Sequence, residues 1–171
     1  MMRRLLISAA LAVVLSACGP SAEQSASTQS AAEAPVAAPA AAPAAPAPNA
    51  EEIQAALAAL PAPYNEGDYE AGRRVFAQCR SCHTIEAGAP NRVGPNLHGV
   101  FGREIGSLEG FNYSQAVQDA DFVWDGAQLD HWLANPQSFL PGNRMAFAGV
   151  RNETQRRDLI AYLMVESAPA P

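Results

Sequence analysis

The chain has 171 residues, a formal net charge of −6 and 49% hydrophobic residues, with 14 prolines, 12 glycines and 3 cysteines. All 11 of its basic residues are arginine, so it carries no lysine. An acidic chain of this kind is a poor candidate for nucleic-acid binding, which draws on cationic surface against phosphate, and zinc-finger, phosphate-loop and Gly-x-Ser-x-Gly patterns are missing from it.

The first stretch, "MMRRLLISAALAVVLSAC", has a short basic start, an apolar run from Leu5 to Leu15 and then small residues. That layout marks residues 1–17 as a secretory signal peptide. The run falls short of the roughly 20 apolar residues that a transmembrane helix needs. "LSAC" at Leu15–Cys18 resembles the bacterial lipoprotein cleavage box, which implies cleavage before Cys18 and lipidation of its sulfur. Ordinary signal cleavage leaving a stray thiol is the alternative, and a lone exposed thiol outside the cytoplasm is a liability.

From residue 18 to 63 the chain is dominated by Ala, Pro and Ser with no apolar period. Such a composition cannot bury enough surface to offset the entropy of ordering it, and reads as a flexible tether. Its prolines favour extended spacing near 3 Å per residue, a reach on the order of 100 Å. "EEIQAALAAL" within it is long enough for a short helix, ended by Pro61 and Pro63.

Residues 64–171 form one small domain at most, with nine arginines against thirteen carboxylates, a charge of −4. Four helical segments are predicted. "GDYEAGRRVFAQC" starts from Asp68 as N-cap, and "YSQAVQDA" from Ser114. "DGAQLDHWLANP" has Asp125 at the cap, Gln128 three residues on and Pro136 as its stop. "NETQRRDLIAYLMVES" carries Leu159, Tyr162, Leu163 and Glu166 at helical spacing, with Asn152 or Thr154 as cap. The segments between are rich in Gly, Pro and Asn, with no convincing strand. The expected body is all-α with long loops, thinly supplied with core, and a large apolar cofactor would give it something to pack against.

"AQCRSCHTIEA" places Cys79, Cys82 and His83 within five positions. A redox dithiol needs a strand–helix context that is not visible here, and structural zinc needs about four ligands where only His98 and His131 remain to help. Covalent haem attachment fits best. On a helical turn, positions i and i+3 share a face, so both sulfurs reach the two vinyl groups of one porphyrin, and the next residue supplies an imidazole to the iron. Two thioethers cannot form a disulfide. With Cys18 on lipid, no thiol is left over.

A second axial ligand, if present, decides between electron transfer and an open iron site. Met/His ligation is the electron-transfer solution and raises the reduction potential. Met1 and Met2 leave with the signal peptide, Met164 falls on the last helix, and Met145 stands in a Pro/Gly loop, "FLPGNRMAFAG". His98 and His131 are rival ligands to Met145, in a turn and on a helix respectively.

From about Gly67 to Leu163 the strings "CRSCHTI", "RVGPNLHGVFGR", "GFNYSQA", "WLANPQSFLPGNRMAF" and "RRDLIAYL" resemble class I cytochrome c, in the family's order and near its spacing. The resemblance implies a small cytochrome c fold of about four short helices and long loops around one haem c. It implies Cys79 and Cys82 as attachment points, and His83 and Met145 as iron ligands. Pro95 would accept the imidazole N–H through its carbonyl, and Arg103, Tyr113 and Trp124 would bind the inner propionate. Gly72 and Phe76 would cross Leu159 and Tyr162. The chain departs from the family at Val117, where a buried Asn is frequent, at Trp132, where a Tyr is frequent, and at Asn143, where a Thr is common. It also lacks the family's lysine rim, for which Arg80, Arg92 and Arg144 offer a smaller substitute facing acidic partners.

The implied function is a one-electron carrier of a respiratory chain rather than an enzyme. It has no small-molecule substrate and stands on the periplasmic side of a bacterial membrane, anchored through Cys18. By family analogy a cytochrome bc complex would be the donor, and a terminal oxidase or other reductase the acceptor. A haem enzyme or gas sensor with an open distal iron site is the alternative, and a purely structural lipoprotein a third reading.

Overall fold

The computed structural model describes residues 48–168. The expected signal peptide, Cys18 and the chain up to residue 47 lie outside the described residues.

Among the described residues six α-helices follow one another: α1 (Ala50–Ala58), α2 (Tyr69–Phe76), α3 (Gln115–Gln118), α4 (Gly126–Ala134), α5 (Pro136–Phe139) and α6 (Glu153–Glu166), with a 3-10 turn at Tyr64–Glu66. Among the described residues, extended pairing is confined to one antiparallel bridge, Glu104–Val123. The all-α class expected from the sequence is the class observed. The predicted caps are in place: Asp68, Ser114, Asp125 and Asn152 accept from the backbone N–H of Ala71, Val117, Gln128 and Gln155 respectively. Each cap satisfies an N–H that the helix leaves orphaned and contributes about 1 kcal/mol.

The frame of the domain is the crossing of α2 over α6. Phe76 of α2 is packed in one core with Leu159, Ile160, Tyr162 and Leu163 of α6, and Leu159 and Ile160 are fully buried. Gly72 is what allows the approach: a Cβ there would collide with the Asp158 carbonyl and with Cβ of Tyr162. Tyr162 stacks between Tyr69 and Phe76 at centroid distances of 5.1 and 5.2 Å.

Helix α4 is tied to α6 by Arg156, whose Nε donates to Asp130 Oδ1 at 2.8 Å. Its Nη1 also donates to the carbonyls of Val150 (3.0 Å) and Arg151 (3.1 Å). The N–H of Val150 returns to the Leu133 carbonyl at 2.7 Å. These bonds close the loop that leaves α5 and carries Met145.

Two expectations need correction. Composition assigns everything up to residue 63 to the tether, but α1 belongs to the body. Leu57 is buried, Ile53 half-buried, and α1 touches both the 3-10 turn and α6. Its start carries a reciprocal capping box, with Asn49 Oδ1 accepting from Glu52 N–H at 3.0 Å and Glu52 Oε2 accepting from Asn49 N–H at 2.8 Å. An Ala-rich helix with one leucine on its inner face has the propensity to form, and a neighbouring surface supplies the rest. The helix count is also higher than four, because Pro136 stops nothing beyond α4: it opens α5 at the first position, where its missing N–H costs nothing.

Candidate functional site

The end of α2 leads directly into the two-cysteine turn. Cys79 N–H donates to the Phe76 carbonyl at 2.8 Å, and the N–H groups of Cys82 (3.0 Å) and His83 (2.9 Å) both return to the Cys79 carbonyl. This helical winding brings Cys79 and Cys82 to one side of the turn. Both are free thiols. Burial pushes the Cys79 thiol up to about 11, with the nearby Cys82 adding to the shift.

His83 is fixed from two directions. Its Nδ1 lies 2.7 Å from the carbonyl oxygen of Pro95. A carbonyl only accepts, so the proton sits on Nδ1 and Nε2 keeps its lone pair. Burial lowers the His83 pKa and the Pro95 bond opposes that, so a neutral ring is favoured. Gly94 lies flat against the imidazole, since a Cβ there would strike Nδ1, Cε1 and Nε2.

Pro95 is held in turn by the loop it belongs to. Buried Asn96 donates from Nδ2 to Thr84 Oγ1 (2.8 Å), the Glu86 carbonyl (2.9 Å) and the Ala89 carbonyl (3.0 Å). Thr84 Oγ1 donates to the Pro90 carbonyl at 2.9 Å. Sequence reading missed Asn96 and Gly94 as supports of His83; only their place beside Pro95 in "RVGPN" hints at it.

Cys79, Cys82, His83, Pro95, Arg103, Tyr113, Trp124 and Met145 all line one cavity of about 280 Å³. The rival ligands His98 and His131 are not on its walls, nor is Met164. Apolar side chains, among them Leu97, Val100, Leu129, Leu133 and Phe147, make up most of the lining. Trp132 also lines it, with its ring 5.5 Å from that of Trp124, and Val117 stands on the same wall. Arg103 and Trp124 are brought together by backbone bonds: Trp124 N–H to the Arg103 carbonyl at 2.9 Å, and Gly102 N–H to the Trp124 carbonyl at 2.8 Å.

Arg103 is half-buried and no carboxylate pairs with it among the described residues; its guanidinium donates to the carbonyls of His98 (3.2 Å) and Asn96 (3.1 Å). Burial pulls its pKa down, and burial raises that of neighbouring Tyr113. A half-buried cation without a carboxylate beside it suits an anionic group on a ligand. Of the three rim arginines, Arg144 lines the cavity and donates to the Asn112 carbonyl, while Arg92 donates to the Arg80 carbonyl at 3.0 Å.

The donor set therefore combines two neighbouring free thiols, one neutral imidazole, one thioether and a guanidinium without a carboxylate partner around an apolar chamber. Soft sulfur and imidazole suit iron, and an apolar chamber with a half-buried guanidinium on its wall suits a flat macrocycle bearing carboxylates. No group of three or more His, Cys, Asp or Glu side chains able to hold a bare metal ion occurs among the described residues.

No family model matches the chain. Individual proteins do. The chain is 42% identical over 106 residues to cytochrome c of Kluyveromyces lactis, covering 61% of this chain and 96% of that protein. It is 44% identical over 107 residues to cytochrome c2 of Blastochloris viridis, covering 63% and 84%. It is 40% identical over 114 residues to cytochrome c2 of Rhodomicrobium vannielii, covering 67% and 91%. Fold, chamber and these relatives together define a haem protein, and the chain belongs to the cytochrome c family. Its cofactor is covalently attached haem c with its iron, and the Cys-x-x-Cys-His turn at Cys79–His83 is the matching attachment motif. It is a haem-based electron carrier and not an enzyme.

Proposed function

We propose that the chain is a membrane-tethered one-electron carrier whose haem iron takes His83 and Met145 as axial ligands. The observation that carries this reading is the His83–Pro95 hydrogen bond at 2.7 Å, which commits Nδ1 to donation and leaves Nε2 for a metal. When bound, haem supplies the one-electron couple. Cys79 and Cys82 hold the haem as thioethers, which removes both from disulfide chemistry. Met145 lines the chamber, and a soft thioether favours ferrous iron and so raises the potential. With both axial positions filled, no substrate reaches the metal. Arg103, Tyr113 and Trp124 line the chamber, where they would bind a propionate.

Residues 1–17 act as an export signal, Cys18 takes lipid, and the Ala/Pro-rich stretch before α1 tethers the haem domain of 64–171, with α1 packed on it. Among the described residues no helix is long and apolar enough to cross a membrane. The tether keeps the domain on the periplasmic side of a bacterial membrane, where sharing a surface raises the effective concentration of its partners. A quinol-oxidising cytochrome bc complex as donor and a terminal oxidase or other reductase as acceptor fit that position. Arg80, Arg92 and Arg144 would meet acidic groups on them.

Carbon monoxide tests the central reading. The reduced protein is expected to resist it at neutral pH while cycling reversibly by one electron; ready binding would mean an open distal site and a sensor or haem enzyme instead.

A further inference from the structure

Asparagine is seldom buried, yet Asn143 is buried, two residues before Met145. All four of its amide positions are engaged. Nδ2 donates to the carbonyls of Pro136 (2.9 Å) and Leu140 (2.8 Å). Oδ1 accepts from the Met145 N–H at 2.9 Å and from Gln137 Nε2 at 3.2 Å. Gln137 Nε2 also donates to the Met145 carbonyl at 3.0 Å. Both backbone polar groups of Met145 are therefore gripped by side chains. One grip reaches back to Pro136, fully buried at the start of α5, and the other comes from α5 itself.

We propose that Asn143 and Gln137 are positioning residues that hold Met145 in place and set how readily its thioether leaves the haem iron. The inference rests on the reading of Met145 as an iron ligand.

The physics is that of a loop whose exit is coupled to buried bonds. A Pro/Gly loop on its own opens at little free-energy cost. Here, moving Met145 away breaks its bonds to Asn143 and Gln137 together and leaves buried Asn143 Oδ1 with only its longer bond to Gln137, at 3.2 Å, and a buried acceptor left under-satisfied adds to the cost of the lost bonds. No smaller side chain substitutes. A threonine offers one donor, not two, and cannot serve both the Pro136 and Leu140 carbonyls while accepting from Met145. The loop is also pinned further on, where Val150 N–H meets the Leu133 carbonyl at 2.7 Å, so slack is confined to the segment the clamp spans.

The test is an imidazole titration of the purified ferric haem protein, followed by visible absorbance. Added imidazole binds only where the native thioether has left, so its apparent affinity scales with the open fraction. Asn143→Thr is expected to tighten imidazole binding about 10-fold, equivalent to about 1.4 kcal/mol, and Gln137→Ala, at an exposed position, about 3-fold. Met145→Ala sets the ceiling. A role in folding alone would lower Tm and leave the imidazole affinity where it was. Should Met145→Ala bind no more tightly than the parent, the ligand reading fails and the positioning role with it. Should Met145→Ala bind tightly while the other two stay within about twofold of the parent, the positioning role alone is overturned. If Asn143→Thr does not fold, Gln137→Ala decides.

Discussion

Gly72 on α2 and Tyr162 on α6 approach so closely that a Cβ on the glycine would stand 2.7 Å from that of the tyrosine. The crossing fixes where α2 ends, and α2 delivers the two-cysteine turn, so a close helix–helix contact sets the position of the haem attachment. Gly72→Val should push the helices apart and cost about 3 kcal/mol, the range for overpacking a tight core. Urea denaturation of the haem-loaded protein measures it; an unchanged midpoint would mean the crossing tolerates the added volume.

Gly94→Ala bears on the other side of the site. A methyl there collides with the His83 ring, which must tilt and weaken its bond to the Pro95 carbonyl. The expected result is a lower yield of haem-loaded protein and a shifted reduction potential, read by redox titration, with little change in helix content.

The aromatic stack between α2 and α6 gives the protein a defined alkaline limit. Burial, followed by the Glu166 charge, pushes the Tyr162 hydroxyl up to about 12. Tyr69, whose hydroxyl donates to Glu166 at 2.5 Å, is raised as well. A tyrosine raised above its unfolded value near 10 contributes stability that is whole below that pH and is lost as pH climbs through the folded value. Unfolding midpoints should therefore fall between pH 10 and 12. Tyr162→Phe should flatten the decline at some cost in stability at neutral pH, and an equally steep decline in the variant would point elsewhere.

Arg156 closes the loop that carries Met145 through Asp130 and two carbonyls. Its side chain is 9% exposed and that of Asp130 35%, so the pair is only partly desolvated. Arg156→Ala should cost about 2 kcal/mol, in the range for hydrogen bonds to a charged group. Arg156→Lys should recover only part of that, because an ammonium cannot reproduce the planar fork. Thermal unfolding of both variants checks the order.

Cys18→Ala should leave the haem domain folded and coloured but move it from the membrane fraction to the soluble one, and persistent membrane association would count against lipidation.

Much of this architecture was legible in the chain because its signals are local. Asp68, Ser114, Asp125 and Asn152 announce helix starts through side chains that reach only three residues ahead. Cys79, Cys82 and His83 sit within one turn, so their grouping needs no tertiary information. The signals that escaped are those whose partners are made by folding. Leu57 becomes an inner face only once the 3-10 turn and α6 are present. Asn96 and Asn143 look like ordinary loop residues, and their importance lies in carbonyls that the surrounding turns aim at them. Pro136 read as an end, because a proline breaks the helix before it; that it also begins one depends on Asn135 capping α5 through Ser138.

The attachment itself is best tested by peptide mass analysis of the exported protein after alkylation under denaturing conditions. The fragment holding Cys79 and Cys82 should carry the mass of one haem with neither sulfur alkylated. Recovery of that fragment with both thiols alkylated, or with the two cysteines joined in a disulfide, would contradict the account at its root.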